Sequence, residues 1–301
     1  MALINALVLV AGLSAIAVSL MLRANEARER IAGMFEAGQT EVYLDAAQAL
    51  GQNLLSRAPG EPEITHTGQG WAQGYANEPI DRGMVSLQIS DLQGRFNLAW
   101  LAPPPDDPDS ELIRAIALDA LSRLAQEIGL SANARRRLVQ ALDPDLGQRV
   151  TAWGRVTRPP PLPLVAVEQL RLIEGLDPAD YERLRPFVAA LPDQTFLNLN
   201  TVSAEVLAAF LPRTGVATLS RALDVVRPFE DYTDAVEWVE ANFGPDARSQ
   251  IELLGVDLTS EWFEFRLDAR LDSLRLKRKV VVRRDDPSAC CTVILSIPEP
   301  D

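Results

Sequence analysis

The first 22 residues of the chain, Met1 to Leu22, carry no charged side chain, and charged residues then follow closely from Arg23 onward. A helix of this length spans about 33 Å at about 1.5 Å per residue, which is enough to cross a hydrocarbon core of about 30 Å. A cleavable signal would need a basic leader and a shorter apolar core. We therefore predict a transmembrane helix over residues 1–22. Because no basic residue precedes it, either Met1 begins an already processed chain or the orientation is open.

The helical pattern continues over residues 23–56, where apolar side chains recur at steps of three and four. No proline interrupts the chain before Pro59, so both segments are predicted to form one rod of about 55 residues. We expect the amphipathic half to pack both on its own domain and on other helices. The predicted helix-packing residues are Ile31, Met34, Phe35, Val42 and Leu50.

Residues 57–102 change to glycine, proline, threonine and short apolar runs, with near alternation from Met84 to Ile89. This composition and this alternation are typical of short strands and turns. A proline-rich break at Pro103–Pro108 follows and is our predicted domain boundary. The segment is therefore assigned to the first part of a small β domain.

Residues 103–255 have the pattern of an all-helical domain. Ser110 is a candidate cap for a helix that ends at Gly129, and Ser131 for a second that stops before Pro144. Two pairs of short helices follow, VEQLRLIEGLDPADYERLRPFVAAL and SAEVLAAFLPRTGVATLSRALDVV.

After Val256 the apolar residues alternate, which is typical of an antiparallel strand with one buried face. Strands are predicted over Trp262–Leu271, Leu274–Arg284 and Ala289–Ile297. Residues 256–301 thus complete the β domain begun at residue 57. The predicted fold class is α+β: a long helix on a small antiparallel sheet, with an inserted SAM-like or helix-hairpin-helix-like domain.

The net charge of −13 argues against a nucleic-acid partner, because such proteins usually carry a basic surface. The two cysteines, Cys290 and Cys291, are adjacent and lie in a predicted strand. Neighbouring strand side chains point to opposite faces, so we favour free thiols over a disulfide.

Few residues could support catalysis, since His66 is the single histidine of the chain. One histidine and two adjacent cysteines do not make a zinc ligand set. Calcium needs only clustered oxygen atoms, and Asp143 with Asp145 is a candidate pair, although solvated turn aspartates are the commoner explanation. We therefore predict a protein that is not an enzyme and has no certain cofactor.

The segment Asn198 to Leu207 resembles a helix-hairpin-helix unit of DNA-binding competence proteins. Its hairpin, Leu211 to Gly215, has one glycine where such units usually have two, and acidic residues crowd the chain after it. The scaffold is expected to lack a phosphate site, but a membrane-anchored DNA receptor stays as the alternative function.

Several sequence segments together resemble the minor pseudopilin K family of type II secretion systems. In chain order they are MALINALVLVAG, Asp91–Leu98, VEQLRLIEGLDPADYERLRPFV, Leu197–Thr201 with AEVLAAF, Pro228-Phe229, Tyr232–Val236 and the closing strands. The resemblance implies a pilin-like fold and a periplasmic body on a single-pass anchor in the bacterial inner membrane.

The resemblance also implies a maturation pathway and a position. Family precursors are cut by a prepilin peptidase, which would make Met1 the mature, N-methylated terminus. Pseudopilins generally carry glutamate at the fifth mature position, whereas this chain has Asn5, as K subunits do. A carboxylate in lipid is costly unless it is paired, so its lack implies the tip of the pseudopilus, with no subunit above.

The partners implied are the minor pseudopilins I, J and H, the major pseudopilin and the inner membrane, with no nucleic acid. In this family an acidic stretch after the second insert helix is associated with calcium. Here it is shortened around Asp143 and Asp145, which weakens that assignment. A third hypothesis, an anchored hydrolase using His66, is the least favoured.

Overall fold

The computed structural model describes residues 2–56, 64–104, 108–142, 164, 166–192, 195–211, 214–285 and 290–299. Its helices are α1 (Ala2–Leu55), α2 (Gly70–Gln73), α3 (Ser110–Glu127), α4 (Ala132–Leu142), α5 (Pro178–Leu184), α6 (Ala204–Phe210), α7 (Val216–Val226), α8 (Tyr232–Phe243) and α9 (Pro245–Leu254). Its strands are β1 (Tyr75–Ile80), β2 (Gly83–Asp91), β3 (Phe96–Asn97), β4 (Val188–Ala189), β5 (Leu197–Asn198), β6 (Val256–Asp257), β7 (Trp262–Leu271), β8 (Leu274–Arg283) and β9 (Thr292–Pro298). Short 3₁₀ turns cover Leu98–Leu101, Val167–Leu172 and Arg185–Phe187.

Helix α1 is a single rod of 54 residues, as the uninterrupted helical pattern predicted. In the part of the chain that the structure describes, it is the one helix long and apolar enough to cross a membrane. The side chains described in its apolar N-terminal half are exposed, and its C-terminal half packs on the sheet through Leu44, Ala47 and Leu55. The rod therefore joins a candidate membrane span directly to the core of the folded body.

The main sheet has five strands in the order β1-β2-β7-β8-β9, and every neighbouring pair is antiparallel. Strands β2 and β7 are adjacent although the whole helical segment lies between them in sequence. The N–H of Leu92 donates to the carbonyl of Trp262 at 2.9 Å, just beyond the last strand pair. The chain thus leaves the sheet and returns to it at one place, which confirms the α+β fold with an inserted domain.

Strand β7 has the predicted bounds and the predicted apolar alternation, whereas β8 ends at Arg283 and β9 begins only at Thr292. The expectation of a single buried face is wrong for β7, because Trp262 and Glu264 on its other face are buried as well. Phe263, Phe265 and Leu267 are buried against α1. Gly51 of α1 lies directly over the Phe265 ring, where an added Cβ would come within 2.9 Å of the ring. The helix and the sheet are therefore in close contact at this point.

The opposite face of the sheet carries the insert. Trp262 and Val281 on this face pack with Leu92, Ala189 and Leu191. Lys279 forms an ion pair with Glu168 of the insert, and the Arg185 guanidinium bonds a Glu299 carboxylate oxygen at 2.5 Å. The molecule consequently has three layers, with α1 and the insert on opposite sides of the sheet.

The insert has its own core, in which three aromatic rings meet. Phe96 stacks on Phe210 with ring centroids 5.8 Å apart, and the edge of Trp100 meets both rings. Phe96 and Trp100 lie before the proline-rich break, so part of the predicted β segment packs into the helical core. The division of the chain at residue 103 stays a prediction.

Two local predictions need correction. The residue that precedes α3 is Asp109, and Ser110 is the first helical residue instead of the cap, whereas the Ser131 hydroxyl does cap α4 by accepting the Ala134 N–H at 3.1 Å. The insert is not purely helical, because β3 pairs with β4 and β5 with β6 in short parallel contacts.

The expectation of free thiols at Cys290 and Cys291 is also wrong, because the structure joins them in a disulfide. The alternation argument failed since β9 begins only at Thr292. Both cysteines lie in the connection before the strand, where Cys290 has a positive φ of 39°.

Replacing Gly51 by valine tests the close contact between helix and sheet. The new side chain would overlap the buried Phe265 ring, so we expect a loss of about 2 kcal/mol in the free energy of unfolding. Gly33→Val is the matched control, because no atom lies within 4 Å of a Cβ at Gly33. Denaturant unfolding of the full chain in detergent measures both, and equal effects would contradict the contact.

Candidate assembly surface and the neck of the insert

Helix α1 presents a second apolar face, directed away from the sheet. Phe35 and Leu44 are nine residues apart, which is two and a half turns at about 3.6 residues per turn, so they lie on opposite sides. Leu44 is 1% exposed and Phe35 is 73% exposed. We call the exposed face the outward stripe; its members are Ile31, Met34, Phe35, Val42, Ala46, Ala49 and Leu50.

The outward stripe contains all five predicted helix-packing residues, and all five are exposed. From Ile31 to Ala49 it runs 18 residues, or five turns at about 3.6 residues per turn, so it follows the helix axis without winding round it. A continuous exposed apolar surface of this kind marks an interaction site. That these residues pack against other helices stays a proposal.

Charged side chains beside the stripe are bonded to the sheet. The Arg278 guanidinium of β8 bonds Asp45 at 2.6 Å and also pairs with Glu41. Burial works to lower the pKa of Arg278, but its hydrogen bonds to Asp45 and Glu41 outweigh burial and raise it. Both acidic groups on α1 are thus neutralised from the sheet side.

Contacts along α1 show which end of the sheet lies nearer to the apolar N-terminal half of this helix. Glu36 lies 3.9 Å from Arg82, just before β2 begins. Further along, Gly51 lies on Phe265, whose strand partner Ile89 is near the end of β2. The point where β2 ends, at Asp91, is therefore at the end of the sheet farthest from the apolar N-terminal half of α1.

A buried polar network lies at this junction, which we call the neck. One carboxylate oxygen of Asp91 accepts hydrogen bonds from the hydroxyls of Thr201 and Ser260, at 2.5 and 2.6 Å, and from the Asn198 amide at 3.2 Å. The other accepts the Gln93 backbone N–H at 2.8 Å. Burial raises the pKa of Asp91, and these hydrogen bonds work against that rise.

Gln93 joins the outgoing and the returning chain. Its side-chain oxygen accepts the backbone N–H groups of Glu261 and Trp262, at 2.6 and 3.2 Å. Its backbone carbonyl accepts the Asn198 N–H at 3.0 Å. At Gly94 an added Cβ would lie 2.7 Å from the Thr201 carbonyl oxygen, so only glycine allows this approach.

The two segments Asp91–Leu98 and Leu197–Thr201 therefore contact each other directly at the neck, through hydrogen bonds and a close backbone approach. Asn200 extends the second segment into the insert, because its amide accepts the Phe229 N–H at 2.7 Å and donates to the Phe229 carbonyl at 2.9 Å. Sequence reasoning missed this network. The signal in the sequence is the run of asparagine and threonine next to the buried leucines Leu197 and Leu199.

A second charged group lies beside the neck, on the insert side of the sheet. The buried carboxylate of Glu264 accepts hydrogen bonds from Arg95 at 3.2 Å and from Arg266 at 3.1 Å. Burial works to raise the pKa of Glu264, but the charges of Arg95, Arg266 and Lys279 outweigh it and lower the pKa.

Other predicted site residues lie elsewhere or outside the description. Met1, Asp143 and Asp145 lie outside the described residues, so N-methylation and calcium binding stay predictions. Asn5 is within α1. The His66 ring nitrogen Nδ1 accepts the Gly68 N–H at 3.1 Å. Within the described ranges, no group of three or more His, Cys, Asp or Glu side chains is arranged to hold a metal ion.

Comparison with known proteins agrees with these features. A family model for protein K of the type II secretion system matches residues 94–193, which begin at the neck and run into the insert. A type II secretion system protein K from Aeromonas hydrophila is 27% identical over 270 residues, covering 81% of this chain and 80% of the relative. The Klebsiella pneumoniae protein K is 32% identical over 219 residues, with 64% and 66% covered.

The chain belongs to the type II secretion protein K family. It is a minor pseudopilin of type II secretion. One chain of the crystal structure of the GspK-GspI-GspJ complex from enterotoxigenic Escherichia coli shares its fold, with a TM-score of 0.71 and 22% identity. That match covers 90% of this chain and all of the solved chain. The comparisons give the DNA-receptor alternative no support.

Replacing Glu264 by glutamine tests the ion pairs that Arg95 and Arg266 form with its carboxylate. The change leaves Arg95 without its anionic partner, and we expect a loss of about 3 kcal/mol in the free energy of unfolding at neutral pH. Since the folded pKa is lowered, the stabilisation is fully present above the ordinary pKa of 4.5. It is lost as the pH falls through the folded pKa.

Urea unfolding at several pH values measures this difference between wild type and variant. The exposed Glu237 of α8 supplies the control Glu237→Gln, for which we expect little change at any pH. A difference for Glu264→Gln that stays constant down to pH values well below 4.5 would contradict the lowered pKa.

Proposed function

We propose that this minor pseudopilin occupies the tip of the pseudopilus, where it initiates or caps assembly for export of folded proteins across the outer membrane. The observation that carries the proposal is the position of the neck, at the end of the sheet farthest from the apolar half of α1. The insert is attached there and covers the face of the sheet opposite α1. A subunit stacked farther from the membrane would have to displace it.

The distances along α1 support this arrangement. At about 1.5 Å per residue, Gly51 lies roughly 44 Å beyond Leu22 along the helix. The outward stripe fills much of that interval and faces away from the insert. Helices of subunits on the membrane side can therefore pack along the stripe without meeting the insert.

The partners proposed for the stripe are helices of other pseudopilins. The solved complex that shares this fold contains GspK, GspI and GspJ, and we assign the I and J minor pseudopilins to the stripe by that analogy. The H minor pseudopilin and the major pseudopilin would lie farther along the same filament. The stripe is apolar and straight, which suits a neighbouring helix lying alongside it.

The cellular setting follows from the same assignment. The apolar half of α1 anchors the chain in the inner membrane, and the body is periplasmic. Maturation by a prepilin peptidase would leave Met1 as the N-methylated terminus, and Asn5 would lie in the lipid. An asparagine has no ionised carboxylate to be paired by a neighbour, which suits a subunit with none above it.

Replacing Phe35 and Val42 together by serine tests the stripe. We expect co-purification with the I and J minor pseudopilins to fall at least about tenfold, because two exposed apolar contacts worth about 1 kcal/mol each are lost. Both side chains are exposed, so the fold should be unchanged. The measurement is quantitative pull-down from detergent-solubilised membranes.

The matched control is Val225→Ser, since Val225 is 87% exposed and lies in the insert. It should co-purify with I and J as the wild type does. Undiminished capture by the stripe variant would refute helix packing, and an equal loss in both variants would show a nonspecific effect.

The tip position needs its own test. An epitope inserted after Gly129, where a side chain would meet open space, should be labelled at one end of isolated pseudopili by gold-conjugated antibody. The turn between α3 and α4 is far from the stripe in sequence and in the layer order. Label distributed along the filament would overturn the tip assignment.

A further inference from the structure

We propose that the Cys290–Cys291 disulfide is a redox-sensitive device that sets where β9 begins and fastens the connection between β8 and β9 to α1. Its reduction by a dithiol reductant lets both residues join β9 and releases the contact with α1. The device acts within the folded body, so it does not depend on the position of the chain in a pseudopilus.

A disulfide between adjacent residues and an extended strand exclude each other at these two positions. Neighbouring side chains of a strand point to opposite faces, so the two sulfur atoms cannot bond while both residues are extended. In the structure they are bonded, Cys290 has a φ of 39°, and β9 begins only at Thr292. A residue in an antiparallel strand has a φ of about −140° instead. The oxidation state therefore selects one of two backbone conformations.

The sequence favours a longer strand once the disulfide is reduced, because its pattern predicts a strand from Ala289 to Ile297. The two chains also stay close beyond the last strand pair, Arg283 with Thr292. The Thr292 hydroxyl bonds the Asp285 carboxylate, and the Arg283 guanidinium lies 3.3 Å from the same carboxylate. Residues 284 and 285 are therefore within reach of a longer β9.

The packing of the two cysteines differs between the two conformations. In the disulfide form both pack against the core beneath α1. Val282 belongs to that core and is paired with Val293, and side chains of paired residues lie on the same face. Alternation from Val293 would keep Cys291 on the α1 side and turn Cys290 to the opposite face. Reduction thus moves one cysteine side chain out of the core.

The disulfide form is also bonded to α1. The Gln52 side-chain amide donates a hydrogen bond to the Cys291 carbonyl at 3.1 Å. Gln52 follows Gly51, which lies on the Phe265 ring. Because the Cys291 backbone changes conformation when it joins β9, its carbonyl leaves the Gln52 amide. The disulfide therefore holds the connection on α1 beside a close contact between this helix and the sheet.

The redox step is an ordinary thiol–disulfide exchange. One thiolate of the dithiol attacks a sulfur of the pair and forms a mixed disulfide, and the second thiolate then displaces the remaining cysteine. The reductant loses two electrons and becomes a disulfide, while Cys290 and Cys291 each take up a proton as thiols. Both cysteines are partly exposed, so a thiol can reach them. They are the two cysteines of the whole chain, so no other pairing within the chain competes.

The test compares the full chain in detergent before and after treatment with dithiothreitol. Alkylation and mass spectrometry should count no free thiol before treatment and two after it. Reduction should slow hydrogen exchange at the amides of residues 290–292 about fivefold, because joining the strand adds a backbone hydrogen bond. A disulfide that acts only as a cross-link predicts the opposite sign, with faster exchange at these amides after reduction.

The contact with α1 has its own readout, the exchange of the amides of residues 52–55. Reduction should speed this exchange about fivefold, as expected for losing one hydrogen bond. Gln52→Ala should show the faster exchange before reduction and no further rise after it. Gln48→Ala is the matched control, because Gln48 lies one turn earlier, is also partly exposed, and forms no hydrogen bond with Cys290 or Cys291. It should respond to reduction as the wild type does.

A double variant, Cys290→Ser with Cys291→Ser, should match the reduced wild type without any reductant and should not respond to dithiothreitol. The proposal is overturned if the isolated chain already carries two free thiols, or if exchange at residues 290–292 is unchanged or faster after reduction. It is also overturned if the double variant behaves as the oxidised wild type does, or if Gln52→Ala responds to reduction at residues 52–55 as strongly as Gln48→Ala.

Discussion

Four hydrogen bonds converge on the buried carboxylate of Asp91, and the relation between insert and sheet depends on them. A buried carboxylate is costly unless its oxygens are satisfied, and here the donors come from separate parts of the chain: Gln93, Asn198, Thr201 and Ser260. All four donors can reach the Asp91 carboxylate only when both strands of the neck and the loop from the insert are in place. The network therefore makes the orientation of the insert a condition of folding.

The three-layer order follows from strand alternation. Successive residues of β7 face opposite sides, so Phe263 and Phe265 meet α1 while Trp262 and Glu264 meet the insert. Both faces of the central strands are covered, and the polar side chains on the insert face are buried with partners. The sheet thus separates the core beneath α1 from the contacts beneath the insert.

Repeating patterns in the sequence predicted much of this fold. The rod α1 and the strand β7 were predicted well because each depends on a local period of hydrophobic residues. The pattern did not show which face of the rod meets the sheet, since the buried residues are Leu44, Ala47 and Leu55 and the five predicted helix-packing residues are exposed. The hydrophobic period does not show whether these residues pack against other helices.

Features that depend on distant residues could not be predicted in this way. The Asp91 network joins residues more than 100 positions apart, and no local period records such a pairing. The cap of α3 and the start of β9 depend on single residues at element ends, where competing local hydrogen bonds decide the outcome. The adjacent cysteines were judged by strand alternation, which does not apply in the connection where they lie.

The adjacency of β2 and β7 has a mechanical consequence. Because the insert is attached to the ends of two neighbouring strands, an axial load on it divides between both strands and runs along their length. Both strands carry the load in the same direction, so the load does not open the hydrogen bonds between them. A load on the insert therefore passes into the sheet without separating the two strands that hold the insert.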